Sequence, residues 1–159
     1  MKQLAEGRWP EPQDGALPRL PGFADSPFNP LVVAAADRCL GQHRAAPRTA
    51  LLLASHSGDL GTAEAITRAA AGERRVPPLL FFQSNPNAVL GHLAARWGLT
   101  GPVLAISPSS ATPGEVPGEA LELADLLLLD GDADEVLLIA AEQADPADPG
   151  HAVAVLLAP

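Results

Sequence analysis

Tyrosine is absent from this 159-residue chain, cysteine occurs once, and tryptophan and phenylalanine together supply six side chains. A core so poor in aromatics has to be built from Leu, Ala and Val, the residues of closely packed α/β layers. The single Cys39 excludes an internal disulfide, and with it the disulfide-stapled secreted scaffolds. No uninterrupted apolar run approaches the roughly 20 residues that cross a bilayer, and the first residues lack the layout of a signal peptide. A cytoplasmic protein without membrane contact is the expectation. Three signatures are missing as well: a glycine loop for phosphates, Cys/His spacing for a metal, and Gly-x-Ser-x-Gly. Neither cofactor nor metal is therefore expected.

Positive charge runs out early. All ten Lys and Arg residues lie at or before Arg96, and residues 97–159 carry eleven acids, so that part alone has a charge of −11. Residues 1–96 carry eight acids and a net +2, which gives the whole chain −9. This balance argues against nucleic acid as a partner. A docking face for an acidic carrier protein has to use Arg44, Arg48, Arg68, Arg74, Arg75 or Arg96; with no such partner, the charges are a solvated surface. What is abundant is apolar, with 47% hydrophobic against 18% charged residues and a mean hydropathy of +0.13. For one domain of this size, that composition leaves apolar surface for a partner to cover.

Taken in order, residues 1–28 are rich in Pro, Gly and polar side chains without a sustained apolar period. They read as an extended arm, pinned by Trp9, Leu17, Leu20 and Phe23. The domain proper is expected over 29–159. Asn29-Pro30 reads as helix cap and first-turn proline, opening a helix to about Leu40. Its apolar set Val32, Ala35, Ala36, Cys39 and Leu40 falls on one face, which makes Cys39 a packing residue rather than a nucleophile. Residues 49–54 are a nearly unbroken apolar run, a strand covered on both faces. The polar turn Ser55-His56-Ser57-Gly58-Asp59 follows, with Asp59 capping a helix to about Ala71. Ser and His in such a turn ordinarily satisfy backbone groups. Residues 76–82 read as extended, and Ser84 or Asn85 caps the next helix, with Pro86 in its first turn. A strand over 103–107 leads to a hydroxyl-rich elbow. A helix runs from Pro117 to about Asp130, with Glu115, Glu119 and Glu122 near its positive end. Strands over 135–141 and 152–157 complete a layered α/β fold, with a mainly parallel sheet flanked by helices.

The stretch 87–112 carries more than secondary structure. It reads Asn87-x-x-x-Gly91-His92-Leu93-Ala94, then Trp97-Gly98, then Gly101-Pro102 and a strand ending in Ser107-x-Ser109-Ser110-Ala111-Thr112. This pattern resembles the β-ketoacyl synthases of the thiolase superfamily, in the segment that leads to their nucleophile elbow. The turn after residue 54, the Gly131-Asp132-Ala133-Asp134 turn and Glu142 at the end of a strand resemble the same family. The resemblance spans residues 29–157 and implies one half of a thiolase fold. The family's opening strand has no visible counterpart in residues 1–28, and the family's second half has none in this sequence.

At the position of the family's cysteine stands Ser110. Ser109 replaces the preceding Ala, and Pro113 the Gly after the elbow. Ketosynthases also use two later histidines, in His-Gly-Thr and Gly-His segments. His43, His56, His92 and His151 match neither, while His92 matches a scaffold position. What the resemblance implies is therefore a non-catalytic ketosynthase-like subunit of polyketide or fatty-acid biosynthesis, paired with a ketosynthase-type subunit or with itself, and meeting an acyl carrier protein. Thiolase-superfamily proteins pair near the strand that precedes the nucleophile, here residues 103–107. Two alternatives stand beside it. One is acyl transfer through Ser110 with a base from a partner or from His56; the other is a small-molecule-binding or self-assembling remnant.

Overall fold

The computed structural model describes residues 1–72 and 75–159. Arg74, one of the arginines proposed for docking, lies outside the described residues. The chain forms β1 (Lys2–Trp9), α1 (Phe28–Leu40), β2 (Thr49–Ala54), α2 (Leu60–Ala71), α3 (Pro78–Ser84), α4 (Pro86–Trp97), β3 (Val103–Ile106), α5 (Gly118–Leu129), β4 (Glu135–Glu142) and β5 (His151–Ala158). One five-stranded sheet has the order β1-β5-β4-β2-β3. β4, β2 and β3 run parallel, as a strand–helix alternation requires. β5 returns antiparallel to β4, and β1 is antiparallel to β5. The sheet is thus mixed, with the parallel set β4, β2 and β3 on one side and the antiparallel β5 and β1 on the other, where a mainly parallel sheet was expected.

Strand periodicity divides the core into two layers. Leu51 and Leu53 of β2, Leu137 and Ile139 of β4, and Leu156 of β5 face α1 and α4. Their neighbours Ala50, Leu52, Val136, Leu138 and Val155 face the other way, toward α5. Both faces of β2 and β4 are covered, and this explains their unbroken apolar runs. Cys39 is fully buried on the inner face of α1, and burial pushes its thiol up to about 11. Packing, not nucleophilicity, is its role. The apolar run at residues 153–157 is buried within the sheet, whereas Leu126 and Leu129 of α5 stand exposed.

Two expectations need correction. Residues 2–9 are not an unpaired arm but the edge strand β1. Its inward positions are Ala5, Gly7 and Trp9, too small or too varied to read as an apolar alternation. The reason is the closeness of α1: a Cβ on Gly7 would lie 2.4 Å from both Ala35 O and Cys39 N. The remainder of the segment is pinned as expected, with Trp9 buried and Leu17, Leu20 and Phe23 packed against the core. Arg38 completes the attachment. Its guanidinium stacks 5.2 Å above the Trp9 ring and donates to both oxygens of Asp14, at 2.8 and 2.9 Å.

The second correction concerns residues 76–82, where Pro78 opens the helix α3 instead of an extended segment. Four successive apolar residues do not distinguish helix from strand. The helix buries Leu80 and Gln83, three apart on one face, and leaves Phe81 and Phe82 outside. Gln83 is held by its amide, which accepts from Ala24 N and donates to Ala24 O and Thr62 Oγ1.

Candidate functional site

The parallel strands β2 and β3 end at the same level, and the turn 55–59 leaves β2 there. Open α/β sheets place ligand sites at such carboxyl ends. Five residues cannot turn from a buried strand into a helix without exposing backbone donors, and the site is the set of groups that satisfy them. Glu142, at the carboxyl end of β4 and only 8% exposed, accepts from His56 N at 2.7 Å and Ser57 N at 2.8 Å. Ser55 Oγ accepts from Gly58 N at 2.9 Å, and Ser57 Oγ accepts from Gln143 N at 2.9 Å. Gln143 in turn accepts from Leu60 N and donates to Asp148 O. Asp59 caps α2 by accepting from Thr62 N at 2.9 Å, and also takes hydrogen bonds from Ser26 and Asn29. At Gly150 a Cβ would lie 2.0 Å from Glu142 O, and φ is +81°, so glycine alone lets the β4–β5 loop close over this strand end.

These groups frame a cleft of about 470 Å3. It is lined by Asn29, Ser55, His56, Ser57, Asp59, Gln83, Ser84 and, from the β3 end, Ala105, Ile106 and Ser107. Its polar lining is hydroxyls, amides, one imidazole and one carboxylate, set among the apolar Phe28, Leu53, Pro86 and Ile106 and without Lys or Arg. His56 is exposed at its edge, with Nδ1 2.9 Å from Pro108 O. A carbonyl only accepts, so Nδ1 carries the proton in the neutral ring and Nε2 keeps its lone pair.

Ser110 follows Pro108 by two residues but stands outside the cleft. It is exposed, in the open loop after β3, and does not line the cleft. Residues 111–117 separate it from α5, so no helix starts at the serine. Its neighbour Ser109 is the engaged residue: its N–H and its hydroxyl both donate to Glu119, in the first turn of α5. Glu119 is thus occupied as a loop anchor. His92, on α4, meets Phe23 edge-to-face at 6.0 Å, and its buried Nε2 has no hydrogen-bond partner among the described residues. Among those residues no cluster of three His, Cys, Asp or Glu side chains is arranged to hold a metal. None of their helices is long and apolar enough to cross a membrane.

Sequence reasoning found Asp59 as a cap, placed the Ser-His-Ser turn at a strand end and matched Glu142. It read Asn29 as the cap of α1, whereas the helix already begins at Phe28 after Pro27 and Asn29 donates to Asp59 instead; it missed Gln83 and Gln143, buried polar side chains whose partners lie on distant segments.

No protein-family model matches the sequence, and no curated protein is similar to it in sequence. Solved structures do match its fold. A chain of the ketosynthase (ApeO) in complex with its chain length factor (ApeC) from Xenorhabdus doucetiae is similar with a TM-score of 0.71 and 18% identity, over 99% of this chain and 78% of that one. The ishigamide ketosynthase/chain length factor is similar at 0.67 and 21%, over 86% of this chain and 45% of that chain. A type II polyketide synthase acyl-carrier protein in complex with its ketosynthase (AntDE:AntF) contains a chain similar at 0.55 and 15%, over 84% and 47%. The chain thus spans about half the length of the latter two. It has a ketosynthase-like, thiolase-type fold.

Proposed function

We propose that this chain is a non-catalytic, ketosynthase-like subunit of polyketide or fatty-acid assembly that pairs with a ketosynthase-type subunit or with a second copy of itself. The observation that carries the reading is the state of Ser110. It stands at the position of the family's nucleophile, exposed, outside the cleft, and with no imidazole, carboxylate or amine bonded to its hydroxyl among the described residues. A serine without a base in reach is a poor nucleophile near neutral pH. No helix N-terminus backs it, so the electrostatic help that such an end gives a developing oxyanion is missing too.

The edge strand β3 supports the pairing. Val103 is 39% exposed and Ala105 is exposed, on a strand hydrogen-bonded only to β2. Such an edge is a template for a strand from another chain. Two of the similar structures contain a ketosynthase with a chain length factor. The test is light scattering on the chain alone and co-purified with a ketosynthase subunit from its own gene neighbourhood. A dimer is expected in one of the two, weakened by Val103→Lys. A monodisperse, stable monomer at micromolar concentration in both preparations sinks the reading.

One observation favours acyl transfer as the second reading. The Nδ1–H of His56 is held by Pro108 O, two residues before Ser110, which leaves a lone pair at Nε2 beside the same loop. Incubation with acyl-carrier substrates followed by intact-mass spectrometry separates the two. An acyl adduct that is lost in Ser110→Ala supports transfer, and an unmodified chain supports the subunit.

A further inference from the structure

We propose that the cleft at the carboxyl ends of β2 and β3 is a binding site for a small primary amine with an apolar body, its ammonium group held between the Asn29 side-chain oxygen and the Asp59 carboxylate. The site is complete within one chain, so it stands or falls apart from the pairing proposed above.

The polar groups around the cleft are spent unevenly, and the donors of the turn are used internally. His56 N and Ser57 N bond to Glu142, Gly58 N to Ser55 Oγ, and Leu60 N to the Gln143 side chain. A turn from a strand into a helix ordinarily offers such N–H groups to an anion. These four have nothing left to offer a carboxylate, a phosphate or a developing oxyanion. The Gln83 amide is likewise consumed, by Ala24 and Thr62.

Apart from hydroxyls, which turn to suit either role, the groups that stay open are acceptors. Asn29 is only 2% exposed, and its Nδ2 donates to Asp59 Oδ2 at 3.3 Å. A carboxylate only accepts, so this contact fixes which end of the amide is the oxygen. That oxygen has no hydrogen-bond partner among the described residues, and its side chain lines the cleft. A buried amide oxygen left unpaired is costly, and a donor on a ligand removes the cost. Asp59 stands beside it on the same wall, accepting from Ser26 and Thr62 N as well as from Asn29. All three of those donors are neutral, so none of them balances the charge of the carboxylate. Nε2 of His56 adds a further acceptor at the edge.

The lining holds no Lys or Arg to serve as a counter-ion. Adjacent acceptors with one uncompensated negative charge select a donor that is positive, and an ammonium group supplies three N–H bonds and the charge together. The net charge of −9 favours the approach of cations to this chain. The rest of the wall decides the body of the ligand. Phe28 and Leu53 are almost fully buried, and Pro86, Ala105 and Ile106 continue the apolar surface toward β3. A cleft of about 470 Å3 with few polar groups has the dimensions of a small-molecule site.

The experiment titrates the full chain with hexylamine, hexanol and hexanoate, three probes that share a hydrocarbon body and differ in the charge of the head. Calorimetry gives the affinities, and amide NMR shifts give the location. Hexylamine is expected to bind about tenfold more tightly than hexanol, the step from a neutral to a charge-assisted hydrogen bond, with hexanoate weakest. The shifts should concentrate at residues 55–59 and 105–107. Asp59→Asn keeps an N-cap acceptor for α2 and removes the charge, so it should fold normally and lose about tenfold in hexylamine affinity. Asn29→Ala should lose affinity as well, and it decides the matter if Asp59→Asn fails to fold. Equal affinity for the three probes, tighter binding of hexanoate, or no hexylamine binding at millimolar concentration overturns the proposal. So does unchanged hexylamine affinity in the folded variants, or a set of shifts that lies outside the cleft.

Discussion

Removing the carboxylate of Glu142 gives the sharpest test of how the cleft is built. In Glu142→Ala, His56 N and Ser57 N lose their acceptor at once, at a position only 8% exposed. A hydrogen bond to a charged group contributes about 1.5–3 kcal/mol net, so two such bonds set the upper bound. His56 is exposed, and water replaces its acceptor in part; Ser57 is half-buried, and its N–H bears most of the loss. The expected destabilisation is about 2–4 kcal/mol, a large share of the roughly 5–15 kcal/mol of an ordinary domain. Urea unfolding followed by circular dichroism reads it as a midpoint lowered by about 1–2 M, with an unchanged slope. Glu142→Gln discriminates further. Its amide offers one acceptor oxygen and turns an NH2 toward the second donor, so most of the loss should persist. A Glu142→Ala protein within about 0.5 kcal/mol of wild type, or a Glu142→Gln protein indistinguishable from it, would falsify the view that this carboxylate holds the turn.

Two further outcomes follow from the charge and burial of single groups. The two bonds from Arg38, then the Glu11 backbone N–H, hold the Asp14 carboxyl below the usual carboxylate range. A depressed carboxylate contributes stability above its unfolded pKa and loses it as pH falls through the folded one. Amide protection over residues 10–27, taken as the exchange rate relative to the intrinsic rate at each pH, should therefore hold at neutral pH and fall only on acidification below about pH 4. Asp14→Asn should show that loss of protection already at pH 7, and protection in the wild type that does not change with acidification would refute the clamp. Burial pushes Cys39 up to about 11, so its neutral form is favoured in the fold, and that contribution is lost only as pH rises from the unfolded value toward 11. Ellman's reagent at pH 8 should modify Cys39 only after denaturant is added; rapid labelling of the native protein would show that α1 opens.

How much of this was legible in the sequence depends on whether a residue's partners were near it. β2, β4 and β5 were readable because both faces of each are buried, so that every position between their ends is apolar. Asn85 and Asp59 were readable as caps because their partners lie two or three residues away. β1 was hidden because α1 approaches Gly7 too closely for an apolar side chain to mark the inward face. α3 was misread because its buried pair is Leu80 and Gln83, and a glutamine gives no apolar signal. The cleft was half readable. The turn and Glu142 were in view, but the contacts of Gln83 and Gln143 join segments tens of residues apart and leave no local pattern. Ser110 was located by the family resemblance, and its place outside the cleft and short of α5 comes only from the path of the loop.

The sheet order has a consequence for synthesis. β1 leaves the ribosome before the other four strands of this sheet, yet its one neighbour there is β5, whose residues 151–158 emerge after all of them. β5 also stands between β1 and β4, so no earlier strand can take β1 temporarily in its native register. The contact of Gly7 with α1 gives β1 something to rest on meanwhile, but not its ladder. Folding therefore closes with a pairing between residues some 150 positions apart, Lys2 opposite Ala158. Loop closure over that span is slow and must come late. A nascent chain halted before residue 151 keeps the row of donors and acceptors on β4 unpaired, so the open edge lies at what becomes the middle of the sheet until β5 and β1 move it outward.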